Sequence, residues 1–385
     1  MRILLVSDAV QFHNGGANRV VVETCRLLAT RGHAPAVAHV TPGTPQVDCP
    51  TFLLSKDDQR ASIVTAVRDF QPDLVQIHTA LTAGALEAAC VGPAAVFCHD
   101  LTWVCSAGDR MDRSLAPCHR PHGTGCLALH YAIGCGAKNP VLNLRYWTKT
   151  SRMLRVRDLP HVRLQVASEY VRQGLVENRF PTDRIDLVPL YSNPIDHPTP
   201  ATSEPGLLLL PSRLVPAKGV HVALAALARI RELDWRCVIA GDGWQRPALE
   251  RLVGELGLVD RVRFLGEIPP TELDAWYRRS RIVLFPVLRH EPFGLVGVEA
   301  LAHGRPVVAF GGGGADEWLA DGESAIRIGA RDPAAFAAAI ARLLGDPALW
   351  ERLAAGALAR HRHFEPDAYL DRLIASFARA RQTRA

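Results

Sequence analysis

The sequence predicts an α/β chain built as two Rossmann-like domains facing each other across a ligand-binding cleft. Three observations carry this expectation. Short apolar runs ending in polar residues recur in both halves and alternate with helical stretches, the pattern of βαβ units and parallel sheets. The 385 residues suffice for two domains, each with an ample core. Between the halves, Pro189 to Pro205 holds five prolines and no apolar periodicity, which marks a linker. The expected bounds are 1–195, 196–365 and a terminal helical segment, 366–385.

The first strand is the run Ile3–Val6, apolar until Ser7-Asp8 and therefore buried on both faces with its carboxyl end open to a ligand. Gly15-Gly16 follow, then a helix with Val20, Val21, Thr24, Leu27 and Leu28 on one side, stopped by Gly32. Ala36–Val40 is the next strand. A helix over Ala61–Phe70 leads into the strand Leu74–Ile77, which ends at His78, and Ala94–Phe97 ends at Cys98-His99-Asp100. The second half restarts with Gly206–Leu210, ending in Ser212-Arg213, and Lys218-Gly219 open a helix. Cys237–Ala240 stops at Gly241-Asp242-Gly243, and Arg261–Leu265 and Ile282–Phe285 are further strands. After Pro366, Tyr369, Leu370, Leu373, Ile374 and Phe377 line one helical face that could pack on either domain.

Composition narrows the function. The chain is 48% hydrophobic and 22% charged, near globular averages, which removes the disordered, collagenous and disulfide-scaffold classes. No stretch reaches the ~18 uncharged apolar residues of a membrane span, and Ile3–Val6 is too short for a signal sequence. A cytoplasmic chain is expected. The net charge of +5 is uneven: residues 101–163 hold ten Lys/Arg against three Asp/Glu. No nucleic-acid-binding motif accompanies them, so nucleic acid is not an expected partner. A patch facing an anionic substrate or a lipid surface is.

Ligands of open α/β sheets bind beyond the carboxyl ends of the strands, and the chemically informative residues lie there. Glu291-Pro-Phe-Gly-Leu-Val-Gly-Val-Glu299 places two carboxylates around a helix start at Gly294, with the helix running Leu295–His303. Free N–H groups at a helix start suit a hydroxyl-rich or anionic ligand, and two carboxylates up to ~12 Å apart can grip two parts of it. The plain alternative is a carboxylate complementing the helix dipole and a surface glutamate. In Ser212-Arg-Leu-Val-Pro-Ala-Lys-Gly219, Arg213 and Lys218 follow a buried strand, where a guanidinium fork and an ammonium can neutralise a diphosphate. Ordinary surface basicity is the alternative there.

Together these residues resemble a retaining glycosyltransferase of family 4 with the GT-B fold. The resemblance rests on Gly15-Gly16, Arg31-Gly32-His33, Ser212-Arg213 with Lys218-Gly219, Ala240-Gly241-Asp242-Gly243, Glu291-Pro-Phe-Gly-Leu295 with Glu299-Ala300, and Gly304-Arg-Pro-Val307 before Gly311–Gly314. It implies a UDP- or GDP-sugar held across the cleft mainly by the second domain. By that resemblance Glu299 binds the ribose, Glu291 and the backbone at Phe293, Gly294 and Leu295 meet the transferred sugar, and Arg213 and Lys218 hold the diphosphate. Gly241 and Gly243 belong to the same donor site. Gly15 and Gly16 approach the phosphates from the first domain, and His99 lies near the reacting sugar. Catalysis requires no cofactor: preorganised cations stabilise the leaving phosphate, and no Asp-x-Asp triplet is present to carry a metal. The acceptor is expected to be a glycan or a lipid-linked glycan.

Three places depart from the family pattern. Asn18 stands where a glutamate is usual, Pro189-Leu-Tyr-Ser-Asn-Pro-Ile-Asp196 replaces the customary Pro-Asn-Gly-Val-Asp, and a cysteine-rich insert occupies about 98–135. In that insert Cys105, Cys118, Cys126 and Cys135 are interleaved with His119, His122 and His130. They are candidates for a structural zinc or iron–sulfur site, with reduced thiols or disulfides as alternatives. Arg145 to Arg163 adds six Lys/Arg with Trp147, Met153 and Leu154 among them, a candidate for peripheral contact with the cytoplasmic membrane face. Two rival functions are a sugar-nucleotide 2-epimerase of the same fold and a non-catalytic sugar-nucleotide-binding protein. The two glutamates and the Arg/Lys pair favour transfer.

Overall fold

The computed structural model describes residues 1–10, 16–79, 81–136, 139–192 and 203–382. The chain divides into two compact units, one of residues 1–190 with 366–385 and one of residues 191–365. The expected boundary at 195/196 lies outside the described residues.

The first unit carries seven strands: β1 (Arg2–Ser7), β2 (Ala34–His39), β3 (Thr51–Leu53), β4 (Leu74–Ile77), β5 (Ala94–Cys98), β6 (Val162–Val166) and β7 (Ile185–Leu187). They pair in parallel in the order β3-β2-β1-β4-β5-β6-β7. Ile3, Leu4, Leu5 and Val6 are completely buried, as a strand covered on both faces requires. The first helix, Gly16–Thr30, ends before Gly32, whose φ of +73° suits glycine.

The second unit repeats the plan with β8 (Leu207–Pro211), β9 (Arg236–Ala240), β10 (Val262–Gly266), β11 (Ile282–Phe285), β12 (Val307–Phe310) and β13 (Ala325–Ile328). These too are parallel, in the order β10-β9-β8-β11-β12-β13. Strand order reverses between β8 and β11. That switch point is where the loops beyond two neighbouring strands diverge and leave room for a ligand. Expected strands recur within one or two residues, because the apolar runs fix the cores of strands better than their ends. The helix expected over Leu295–His303 ends at Ala302.

The last helix, Pro366–Gln382, belongs to the first unit. Tyr369, Leu370, Leu373 and Phe377 are fully buried, each adding about 1.5–3 kcal/mol by removal from water. Tyr369 Oη lies 2.8 Å from Thr24 Oγ1 in the first helix. Asp186 at β7 accepts hydrogen bonds from Ser376 Oγ at 2.6 Å and Arg379 Nε at 3.0 Å. Among the described residues no helix is long and apolar enough to cross a membrane.

Candidate functional site

In the second unit, the loops beyond β8 and β11 flank the switch point and are tied to each other. Pro216–Lys218 form one tight turn, closed by Gly219 at φ +68°. A Cβ at Gly219 would stand 1.9 Å from the Pro286 carbonyl oxygen, and Leu288 N donates to Ala217 O at 2.9 Å. This close approach lets Lys218 Nζ donate to the Glu291 carboxylate, with both side chains more than four-fifths buried. Gly219→Ala is accordingly expected to cost about 1–3 kcal/mol of stability by forcing the loops apart. Chemical denaturation checks the effect.

Burial, aided by the neighbouring Arg213 cation, pulls Lys218 down to about 8. Arg213 itself is exposed. Its loop is zipped to the turn after β9: Leu214 N donates to Asp242 O at 2.9 Å and Gln245 N to Leu214 O at 3.1 Å. Gly241, at φ +134°, permits this, since a Cβ there would lie 2.0 Å from Ser212 O. Gly243 N donates to Asp242 Oδ1 at 2.6 Å in the same turn.

Glu291 is held by its backbone: Gly314 N donates to Glu291 O at 2.7 Å, so the four-glycine loop Gly311–Gly314 after β12 supports it. The chain is not helical from Glu291 to Phe293. Gly294, at φ +86°, starts the helix Leu295–Ala302. Gly297 N donates back to Gly294 O at 3.1 Å, and the N–H groups before it, without intrahelical acceptors, form a small electropositive end. Phe293 is buried, and its carbonyl accepts from Trp318 Nε1 at 2.8 Å.

One turn into that helix, Glu299 Oε2 accepts from Tyr277 Oη at 2.9 Å. Tyr277 stacks on His303 at 5.0 Å between ring centroids. His303 has Nδ1 2.7 Å from Glu299 O and Nε2 2.8 Å from Asp274 Oδ1. The His303 hydrogen bond holds the Asp274 carboxyl down at about 2. Sequence reading missed this support for Glu299. Tyr277, Trp318 and Asp274 lie outside the motifs, Asp274 and Tyr277 within the helix Pro270–Arg279, and nothing in the local sequence singles them out.

In the first unit, His99 follows β5 with its Nε2 2.8 Å from Nδ1 of the buried His78. The two rings stack at 5.1 Å beside Phe97. Burial pushes His99 down to about 4, so the ring is neutral at ordinary pH. Gly16 is the first residue of its helix, and Gly15 lies outside the described residues. Asn18 is buried and its Oδ1 accepts from Ser7 Oγ at 3.2 Å.

The zinc or iron–sulfur expectation has no support. Among the described residues no group of three or more His, Cys, Asp or Glu side chains is placed to hold a metal ion, and all nine cysteines are free. The histidines are engaged elsewhere: His119 with Glu177 at 2.9 Å, His122 with Ser151 at 3.0 Å, His130 with Ser106 at 2.9 Å and Asn143 at 2.7 Å. Burial raises the Cys105 thiol despite hydrogen bonds from the backbone of Arg110, Gly108 and Ala107. Burial, then the nearby Cys105, Cys118 and Cys126, pushes Cys135 up to about 11.

The chain is similar to known proteins in sequence over its second half and in fold over its whole length. Residues 194–360 match the family model described as glycosyl transferases group 1. D-inositol 3-phosphate glycosyltransferase of Thermomonospora curvata is 40% identical over 188 residues, 46% of this chain and 43% of that protein. Glycogen synthase of Mycobacterium tuberculosis is 38% identical over 158 residues, 40% of this chain and 38% of that protein. The chain thus spans less than half the length of these curated relatives. Over whole chains, a glycosyltransferase from Rickettsia africae superposes with a TM-score of 0.76 at 18% identity, covering 98% of each chain. Anabaena Alr3699/HepE in complex with UDP-glucose gives 0.73 at 19% identity, covering 98% of this chain and 99% of that one. The two-unit architecture is the GT-B fold of these glycosyltransferases.

Proposed function

We propose that this chain is a retaining, nucleotide-sugar-dependent glycosyltransferase of family 4, moving a hexose from a UDP- or GDP-sugar to a glycan or lipid-linked acceptor. The observation that carries this reading is the junction of the two loops at the switch point of the second unit. There Lys218 and Glu291 are in contact, Arg213 is exposed beside them, and a helix start opens at Gly294.

In this reading Arg213, Lys218 and the backbone N–H groups at Phe293, Gly294 and Leu295 take the diphosphate and the sugar, and Glu299 takes the ribose hydroxyls. Glu291 turns from Lys218 to the transferred sugar when phosphate oxygens replace it as the partner of the ammonium. The bond from the anomeric carbon to the diphosphate oxygen breaks and an acceptor hydroxyl attacks on the same face. Its proton passes to the departing phosphate, whose growing charge the two cations stabilise without a metal. In the first unit, His99 and Gly16 keep the roles that the resemblance gives them, His99 as a neutral hydrogen-bonding group and Gly16 at the phosphates.

A thermal-shift screen against UDP- and GDP-sugars tests this reading. A donor at about 100 times its Kd should stabilise the protein by about 2.7 kcal/mol. Glu299→Ala should abolish most of that shift, and an unchanged shift removes the ribose assignment. Acidity supplies a second check. Lys218 is protonated below about pH 8 and binds a diphosphate directly. Above that value the free protein must take up a proton on binding, so nucleoside diphosphate affinity should hold at neutral pH and fall by up to about tenfold per pH unit beyond 8. Titration calorimetry across roughly pH 6.5–9.5 reads it directly.

A further inference from the structure

We propose that the outer face of the helix Pro140–Met153, with Tyr131 before it, docks on an anionic lipid bilayer. This inference stands apart from the transfer reaction. Two observations carry it, one of charge and one of exposed apolar area.

Residues 113–157 contain eight Lys/Arg and no Asp or Glu. On the helix itself, Arg145, Lys149 and Arg152 are exposed and form no ion pair among the described residues. Two cations that flank the region are already neutralised. Arg110 pairs with Glu177, and Arg163 donates to Asp186 at 2.7 Å.

The same segment exposes Tyr131 (53%), Val141 (75%), Leu142 (38%), Leu144 (54%) and Tyr146 (44%). Five large apolar side chains within sixteen positions exceed the scattered exposure that any surface shows. The orientation of the helix is set by its inner face. Asn143, Thr150 and Met153 are buried, Trp147 Nε1 donates to Gly123 O at 2.9 Å, and Thr150 Oγ1 donates to Thr102 O at 2.9 Å. At 100° per residue, Val141, Arg145 and Arg152 then point away from the domain, with Leu144 and Lys149 at the two edges of that stripe.

Aliphatic side chains in the first turns, followed by unpaired cations, match the boundary between acyl chains and anionic headgroups. A second copy meeting this face symmetrically would set its cations against their own kind. An acidic protein or a nucleic acid would meet the charges and leave the aliphatic residues wet.

Co-flotation of the full chain with vesicles decides the matter. Binding is expected to vesicles containing phosphatidylglycerol and not to phosphatidylcholine alone, and to weaken with added salt. Arg145→Glu with Lys149→Glu should lower partitioning about tenfold or more, and Val141→Asp with Leu144→Asp should lower it as well. All four positions are exposed, so both variants should melt like the parent. Absence of flotation at low salt overturns the proposal. So does loss with the charge variant alone, which would mean adsorption by charge without apolar contact. Concentration-dependent self-association that Val141→Asp with Leu144→Asp abolishes would assign the face to a second copy instead.

Discussion

Lys218→Ala is expected to lower kcat by about 10²–10³-fold, the usual loss when one preorganised group facing developing charge is removed. Lys218 is held where it can act with little rearrangement. Its stem is buried, the turn Pro216–Lys218 is locked by Gly219 against Pro286, and its ammonium already points at Glu291. Exchanging the carboxylate for phosphate oxygens leaves the lysine in place and frees Glu291. The substitution also leaves the largely buried Glu291 carboxylate without its cation, so some stability should be lost. Product-release kinetics at saturating donor, with a melting curve on the same preparation, separate the two effects. A variant that melts normally and retains parental kcat removes Lys218 from the chemistry.

Asp186→Ala is expected to destabilise the first unit by about 3–5 kcal/mol, because it strands the buried Arg163 guanidinium. Arg163 donates from Nε at 2.7 Å and from a terminal nitrogen at 2.8 Å to this carboxylate, which also accepts from Ser376 and Arg379 on the last helix. Burial by itself raises the Asp186 carboxyl, yet hydrogen bonds from Arg163 and Ser376 and the charges of Arg163 and Arg379 outweigh it and hold the group below its ordinary value. The sign of the pH effect follows. This contribution is complete above the ordinary carboxylate range and is lost as pH falls through the depressed native value. Urea unfolding followed by a probe in the first unit should show the loss at neutral pH, and the gap between variant and parent should narrow in acid.

Much of the architecture was legible because a parallel strand buried on both faces must be a continuous apolar run. Ile3–Val6, Leu207–Leu210 and Ile282–Phe285 could hardly be anything else once helices separated them. Five strands are not expected from the sequence: Thr51–Leu53 and Ile185–Leu187 are too short to establish a period, polar residues break up Val162–Val166 and Ala325–Ile328, and Val307–Phe310 is a further short run. Arg213, Lys218, Glu291 and Glu299 were legible as motifs because each follows a strand end. Their supports were not. Tyr277 and Trp318 reach Glu299 and Phe293 from elements whose proximity the chain order does not reveal.

The cysteine-rich segment marks the opposite case. Composition drew attention to Cys105, Cys118, Cys126 and Cys135, but spacing carries no information about which atoms already have partners. Folding commits His119, His122 and His130 to Glu177, Ser151 and Asn143.

Alone, the sequence determined two parallel α/β units and the loops that carry the charged motifs, because hydrophobic periodicity and strand-end polarity are local properties. The tertiary structure decided which unit the last helix joins, through Asp186, Thr24 and a buried apolar face. It also decided that Lys218 meets Glu291, and that the cations of Pro140–Met153 share an outer face with exposed aliphatic side chains. These outcomes depend on burial and on partners distant in the chain, which become fixed only when the sheets and helices pack.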